Sequence, residues 1–335
     1  MDSATLICRH TFDAQNLVDS HPPKFHNANK KIVYRIACPP GCTHSGQIVF
    51  SRWQAMPFPH TLSSCSYQTE FEARSDYFGY EPPNKDNVQF EWYLNFAHYD
   101  LFCAYGGPLF AQDEMQVAEH PALSSLREAL LSAGIKPLTV ENGQPTPVLV
   151  RGVERRCAIA TDRNAEQGRQ LGLYGNNFAH APLPVIKLAT KLINPPTITN
   201  IIAMEAPSAG RGSYSRKDIE YILTTAFTGF SAARIESYLA SAQQPNVIIH
   251  TGFWGCGAYG GNRVLMSLLQ LLAARLAQVN HLVFHTGDAT GIDNLATAQQ
   301  ILEQDLAPAD SHIEVSALIA EIEAMGFQWG VSDGN

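Results

Sequence analysis

The chain lacks long apolar runs and is poor in charge. Only 16% of its 335 residues are charged, and no stretch approaches the ~18 consecutive apolar residues of a membrane span, so a membrane-spanning protein is not expected. A basic excess is also missing: the net charge is −8, which argues against a general nucleic-acid binder. The 45% of hydrophobic residues instead predicts a globular protein with a substantial core.

Cysteine is sparse as well. An odd, scattered set of seven suits a reducing compartment better than a disulfide framework. The first ten residues, MDSATLICRH, have no basic segment followed by an apolar run, so no signal peptide is expected. We therefore expect a cytoplasmic protein.

Some of these cysteines lie near histidines in the first 65 residues. Cys38, Cys42, His44, His60 and Cys65 are residue types that bind zinc. The CPPGC spacing is not that of the common ligand pairs, so the sequence favours structural cysteines, with a zinc site as the alternative. No metal and no cofactor are expected.

Strand patterns alternate with helical patterns through most of the chain, which indicates an α/β layered fold. Strands are predicted at 88–97, 147–153, 156–161, 199–207, 246–252 and 281–288, and helices in the second half of 101–134, at 216–242 and at 263–279.

The domain organisation follows from the same patterns. Proline pairs interrupt residues 1–87, which we predict to be an accessory segment packed on a core formed by 88–310. Residues 311–335 are predicted to form a C-terminal helix and tail. Ser311 and Glu314 have the spacing of a capping box at the start of that helix.

The stretch HTGFWGCGAYGG, residues 250–261, is the strongest local signal. It joins a predicted strand to a predicted helix that begins near Asn262, a good N-cap residue. Glycines let a backbone approach a ligand closely, and the free amides and positive dipole of a helix start favour an anion. The stretch is therefore predicted to hold phosphate.

Two other interpretations of this loop stay open. Gly255, Gly257 and Gly260 satisfy the G-x-G-x-x-G pattern of nicotinamide-dependent oxidoreductases. That pattern normally has an acidic residue about 20 positions on, whereas Asp288 comes 28 positions after Gly260. A glycine-rich turn without a ligand is the other alternative.

The longer phrase TGFWGCGAYGGNRVLMSLLQLLAARLA, residues 251–277, resembles the diphosphate loop and following helix of poly(ADP-ribose) glycohydrolases, members of the macrodomain superfamily. Further segments follow in the family's order, and the resemblance spans roughly 88–290: LNFA, AYGG, QDE, RGVERR, LYGNNFA, IIAMEAP, AFTGF and FHTGD. It implies a macrodomain-like three-layer α/β/α sandwich with a mixed sheet. Its ligand would be ADP-ribose.

The resemblance also implies contacts for each part of that ligand. The diphosphate would lie on the backbone of Gly255, Cys256, Gly257, Ala258, Tyr259, Gly260 and Gly261. Tyr259 would close over the ribose beside the scissile bond. Gly106, Gly107 and Gln112 would contact the ligand from a second loop, and Asn95 is a candidate contact for ribose or adenine, although an asparagine that caps backbone is the alternative.

Gln112, Asp113 and Glu114 match the family's Gln-Glu-Glu motif. The resemblance implies that Glu114 is the catalytic acid and that Asp113, one methylene shorter than the usual glutamate, hydrogen-bonds the leaving ribose. Cleavage of a glycosidic bond needs such a protonated carboxyl group at the leaving oxygen. From the residues alone, Asp113 and Glu114 could equally be ordinary acids in a first helical turn.

The sequence departs from the family in its second loop. Tyr105-Gly106-Gly107-Pro108 replaces a triple glycine, and only four residues separate Gly107 from Gln112. The expected function is an ADP-ribosyl glycohydrolase that acts as a monomer on poly(ADP-ribose) or an ADP-ribosylated protein. A non-catalytic ADP-ribose-binding macrodomain is the alternative.

Overall fold

A single mixed sheet of eight strands organises the computed structural model, which describes residues 5–63, 69–80, 88–208, 210–241, 243–307, 312–332 and 334. The strands are β1 (Leu6–Asp13), β2 (Gln47–Trp53), β3 (Thr61–Ser63), β4 (Glu70–Arg74), β5 (Gln89–Phe96), β6 (Val140–Glu141), β7 (Gln144–Pro145), β8 (Val148–Ile159), β9 (Thr190–Met204), β10 (Asn246–Gly252), β11 (His281–His285) and β12 (His312–Glu314). The order in the large sheet is β1-β2-β8-β9-β5-β10-β11-β4.

Strand direction divides this sheet into two parts. From β9 through β5, β10 and β11 to β4 all pairings are parallel, whereas β1, β2, β8 and β9 pair antiparallel. The predicted strands before and after the glycine-rich stretch are adjacent parallel strands, β10 and β11. Because parallel strands end at the same edge of a sheet, their following loops are brought together there.

Helices cover both faces of the sheet. They are α1 (Ala14–Ser20), α2 (Ala28–Ala37), α3 (Gln112–Glu119), α4 (Ala122–Ser132), α5 (Asn177–His180), α6 (Leu183–Ala189), α7 (Arg216–Ala240), α8 (Arg263–Leu276), α9 (Ala289–Gln300), a π-helical turn (Ile301–Leu306) and α10 (Val315–Ala324). Side chains of α7 to α10 form the core on one face, and those of α1 and α4 form the core on the other. In the part of the chain that is described, no helix is long and apolar enough to cross a membrane.

Residues before 88 belong to the sheet itself. They supply β1 and β2 at one edge and β4 at the other, where β4 pairs with β11. The proline pairs at 22–23 and 39–40 lie between short helices and a strand instead of marking an irregular layer, and the pair at 82–83 lies outside the described residues. The three-part division at residues 87 and 310 stays a prediction.

Several predicted elements differ from the observed ones. The strand predicted at 199–207 is β9, which begins earlier, at Thr190. The separate strands at 147–153 and 156–161 are one strand, β8, whose pairing with β9 shifts register between Val150 and Val153 and between Arg155 and Cys157. These bulge-like irregularities lie where the apolar pattern is interrupted between the two predicted strands, and the strand continues through them. The C-terminal helix begins later than predicted, because 312–314 pairs with β3. Glu314 is the N-cap of α10 and not its third residue, and Ser311 lies outside the described residues.

Candidate functional site

Three loops meet at the carboxyl ends of the central parallel strands. Residues 97–111 follow β5, residues 205–208 and 210–215 follow β9, and residues 253–262 follow β10. Ligands of open α/β sheets bind at this edge. We call 97–111, with the start of α3, the acidic loop, and 253–262 the glycine loop.

The glycine loop is crowded at its backbone. Gly255 has φ +75°, and a Cβ there would lie 2.5 Å from the Ala206 Cβ. A Cβ on Gly261 would lie 2.7 Å from the carbonyl oxygen of Gly255, which accepts a 2.9 Å hydrogen bond from the Gly261 amide. At these two positions glycine is therefore required by space, and at Gly255 by conformation as well.

Several amides of this loop remain available to a ligand. Among the residues that the structure describes, the backbone N–H groups of Gly257, Ala258 and Tyr259 donate no hydrogen bond. They precede α8, whose N-cap is Asn262 as predicted: its side-chain oxygen accepts from the Leu265 amide at 3.1 Å. The positive end of the helix dipole adds to these free donors, so the loop can hold an anion.

The aromatic residues in the loop anchor it. Trp254 is buried and its indole Nε1 donates to the carbonyl of Met204 at 3.0 Å, which ties the loop to the end of β9. Phe253 packs edge-on against Phe284, and the Arg263 guanidinium lies 4.8 Å from the Phe253 ring centroid. These contacts hold a nearly side-chain-free loop in one conformation.

Cys256 lies in the loop without the properties of a nucleophile. Its thiol donates to the Trp254 carbonyl at 3.6 Å. Burial raises the pKa of the thiol to about 12, so it is protonated at neutral pH.

Asp113 and Glu114 are both buried at the first turn of α3, with 7% and 4% of their surfaces exposed. Glu114 Oε2 accepts from the Ala111 amide at 2.9 Å, half of a capping box. No described residue donates to its Oε1, which leaves that oxygen available to a ligand. Asn95, on the neighbouring strand β5, donates Nδ2 to Asp113 Oδ1 at 3.1 Å.

The electrostatics of the site favour a proton on Asp113. Burial, with the Glu114 carboxylate next in importance, raises the pKa of Asp113 well above its ordinary range. Asn95 Oδ1, fully buried beside the pair, has no partner among the described residues, and such an atom marks a place for a ligand or a water molecule.

Lys30, on α2, is a functional candidate that the sequence analysis missed. Only 2% of it is exposed, and its Nζ donates to the Tyr105 carbonyl at 3.2 Å. Burial lowers the pKa of Lys30 to about 8, against the opposing attraction of Glu114 and then Asp113. The lysine therefore belongs to the same group of coupled charges as the acidic pair.

The other predicted residues of the acidic loop are engaged by protein. Gln112 accepts from the Phe96 amide at 2.8 Å and donates to the Leu94 carbonyl at 2.9 Å, so it fastens α3 to β5. A Cβ on Gly106 would lie 2.3 Å from the carbonyl oxygen of Lys24, and the Gly106 carbonyl accepts from two amides that precede α2. These residues position the acidic loop, and nothing in the structure tests whether they also touch a ligand. The Gly107 amide closes a turn on Ala104.

Glu205 is a third carboxyl group at this edge, which the sequence analysis quoted within IIAMEAP without assigning it a role. It follows β9 and lies 3.4 Å from the hydroxyl oxygen of Tyr259. Burial raises its pKa. Burial, and after it the charge of Glu205 and more weakly that of Asp113, raise the pKa of Tyr259, so this residue of the glycine loop faces the acidic side chains.

The solved structures to which the chain is similar include bacterial poly(ADP-ribose) glycohydrolases. The enzyme from Thermomonospora curvata has a TM-score of 0.42 and 14% identity, with 87% of this chain and 85% of that chain covered. The enzyme from Deinococcus radiodurans in complex with ADP-ribose has a TM-score of 0.41 and 13% identity, with 88% and 94% covered. At these scores neither similarity assigns a residue or a role here.

The family model described as "Poly (ADP-ribose) glycohydrolase (PARG), Macro domain fold" matches residues 165–294. This segment contains the glycine loop and Glu205. Asp113 and Glu114 lie N-terminal to it and outside the match. The predicted fold class, an α/β fold with a mixed sheet, is confirmed. Residues 165–294 are therefore similar to the poly(ADP-ribose) glycohydrolase family, which has a macro-domain fold.

Proposed function

We propose that this protein is an ADP-ribosyl glycohydrolase that cleaves the ribose–ribose bond of poly(ADP-ribose) or releases ADP-ribose from a modified protein. The observation that carries the proposal is the buried pair of Asp113 and Glu114 at the same sheet edge as a glycine loop with free amides. A non-catalytic ADP-ribose-binding macrodomain would need only the glycine loop. Every group that the proposal uses comes from one chain, so a monomer suffices.

The glycine loop would bind the substrate by its diphosphate. The amides of Gly257, Ala258 and Tyr259 can donate to phosphate oxygens, and the start of α8 adds its dipole. Tyr259 would cover the ribose next to the scissile bond, held by its contact with Glu205. This contact would set the position of the anomeric carbon relative to the acidic pair.

The acidic pair would supply the chemistry. Glu114 would donate a proton to the leaving ribose oxygen as the glycosidic bond breaks and an oxocarbenium-like cation develops. The resulting carboxylate would then accept a proton from the water that attacks the anomeric carbon, which restores the acid. Asp113 would orient the leaving ribose, and Asn95 would hold Asp113 in place.

Lys30 would adjust this proton transfer without touching the substrate. Its positive charge favours the ionised state of Asp113. The lysine therefore offsets part of the rise in pKa that burial causes at Asp113.

The test compares Glu114→Gln with wild type and with the surface control Glu321→Gln, whose side chain is exposed on α10. Free ADP-ribose is followed by chromatography after incubation with auto-modified poly(ADP-ribose) and with a mono-ADP-ribosylated protein. Binding of ADP-ribose is measured by calorimetry on the same samples. We expect Glu114→Gln to lower turnover by roughly 10²–10⁴-fold while ADP-ribose still binds, and Glu321→Gln to behave as wild type.

The outcomes separate the alternatives. Release from polymer that depends on Glu114 supports the glycohydrolase, and release from the mono-modified protein alone limits the substrate to that class. If the wild type binds ADP-ribose but cleaves neither substrate, the protein is a non-catalytic ADP-ribose-binding macrodomain instead. Binding of intact NAD in preference to ADP-ribose would favour the oxidoreductase.

A further inference from the structure

Three metal-binding side chains from the N-terminal region lie together at the far end of α2, away from both loops. The donor atoms of Cys38, Cys42 and His44 are all within 4.8 Å of one another, and Cys38 Sγ is 3.7 Å from His44 Nε2. The proposed glycohydrolase reaction uses none of these residues. Both thiols are partly exposed, so an ion could reach them, while His44 is buried.

The backbone around this cluster is held by specific contacts. Cys38 directly follows α2, and the Cys42 amide donates to the Pro39 carbonyl at 3.0 Å, which closes a turn through Gly41 at φ +81°. The His44 amide donates to Gln15 Oε1 at 2.7 Å. The loop therefore presents the three side chains in a defined arrangement.

The imidazole of His44 lies beside a carboxylate. His44 Nδ1 is 3.0 Å from Glu154 Oε2, and Glu154 is itself held by the Arg156 guanidinium at 2.6 Å and the Ser45 hydroxyl at 2.9 Å. With the proton on Nδ1, Nε2 keeps its lone pair for a metal ion. A carboxylate on the outer nitrogen is the usual partner of a metal-binding histidine.

One distance in the cluster agrees with a bound zinc ion. Tetrahedral bonds of ~2.3 Å to sulfur and ~2.0 Å to nitrogen place those two atoms about 3.5 Å apart, close to the 3.7 Å between Cys38 Sγ and His44 Nε2. Thiolate and imidazole donors select Zn²⁺ over Mg²⁺ or Ca²⁺. Three residues between the cysteines lie within the two to four usual for zinc ligands, so the spacing argument in the sequence analysis was too strict.

We propose that Cys38, Cys42 and His44 bind one Zn²⁺, with Glu154 as the outer partner of His44 and a solvent molecule as the fourth ligand. The ion fastens the C-terminal end of α2 to β8, which carries Glu154. The same helix carries Lys30, so the ion also holds Lys30 at the acidic pair. Zinc binding stands whether or not the protein is a glycohydrolase.

The first experiment measures metal content and metal-dependent thiol protection in untagged wild-type protein. We expect about one Zn²⁺ per chain by elemental mass spectrometry. Zinc should protect Cys38 and Cys42 from alkylation, mapped by peptide mass spectrometry, and leave the exposed Cys103 reactive. This arm needs no variant and so does not depend on how variants fold.

Variants then assign the ligands. The apo protein is titrated with Co²⁺, whose thiolate charge-transfer absorption reports cysteine ligation. Cys42→Ser should lose this absorption, Glu154→Gln should weaken Co²⁺ binding by roughly 10–100-fold, and the control Cys8→Ser on β1 should bind as wild type. Wild type without zinc and without a Co²⁺ absorption band would overturn the proposal. So would a Cys38–Cys42 disulfide that forms in glutathione buffer and excludes zinc, which would establish a redox pair.

Discussion

The glycine loop and the acidic loop lie at the same sheet edge and are built in opposite ways. The glycine loop has its shape because two positions have no side chain: there is no room for a Cβ at Gly255 or Gly261. Its free backbone amides belong to the consecutive residues 257–259. The acidic loop depends on side chains that converge from distant segments. Asp113 meets Asn95 from β5 and the charge of Lys30 from α2.

This difference decides what each loop can tolerate and how it is recognised. A site made of backbone amides is formed by consecutive residues, and replacing one of its glycines by a residue with a Cβ disturbs it. A site made of coupled charges is spread over the chain and is sensitive to the loss of one charge, even a charge that touches no ligand. Three substitutions test the comparison, from the largest expected effect to the smallest.

Gly255→Ala should have the largest effect. It combines φ +75° with a Cβ 2.5 Å from Ala206, so we expect about 3 kcal/mol of destabilisation from backbone strain and overpacking together. ADP-ribose affinity should fall at least tenfold. The control Gly134→Ala has φ +70° with nothing within 4 Å of its Cβ and should cost only about 1 kcal/mol. Denaturant unfolding and calorimetry measure both; equal costs for the two variants would contradict a role for close packing.

Lys30→Met should raise the free energy of unfolding at neutral pH and remove the rise of stability between pH 8 and 10.5. The folded pKa of Lys30, about 8, lies below its ordinary value of 10.5. Between pH 8 and 10.5 the lysine is therefore protonated in the unfolded chain and largely neutral in the folded wild type. The stability of the wild type consequently rises with pH across this range. The difference corresponds to about 3 kcal/mol, so Lys30→Met should be up to that much more stable than wild type at pH 7, with the gain vanishing above pH 10.5.

The same substitution should move the basic limb of kcat/KM upwards by roughly one pH unit, because Asp113 then retains its proton to a higher pH. The control is Lys31→Met, an exposed neighbour on α2, which should leave stability within about 0.5 kcal/mol and the profile in place. If both variants shift the profile alike, the effect is not specific to Lys30.

Glu205→Gln should have the smallest effect. It keeps an acceptor 3.4 Å from the Tyr259 hydroxyl and removes only the charge, so we expect an affinity loss of about 1 kcal/mol or less. A double-mutant cycle with Tyr259→Phe should give a coupling energy of roughly 0.5–1 kcal/mol for ADP-ribose binding. Additive effects would mean that Glu205 does not position the tyrosine.

Much of the central fold could be predicted from local patterns. The strands β5 and β10 and the helix α7 agree with their predicted bounds to within about two residues, because buried parallel strands and amphipathic helices leave periodic apolar patterns. The edge strands β1, β2 and β4 were not predicted. Their pairing depends on which chain segment docks at each edge, and short edge strands among prolines carry little pattern of their own.

The sequence alone determined the glycine loop and the N-cap at Asn262, because a backbone site needs particular residues at consecutive positions. It also identified Asp113 and Glu114 as candidates through their resemblance to a family motif. Only the tertiary structure decided that Lys30, Asn95 and Glu205 act on that pair or on Tyr259. The physical reason is that electrostatic coupling depends on distance and burial, and both arise when separate segments pack against one another.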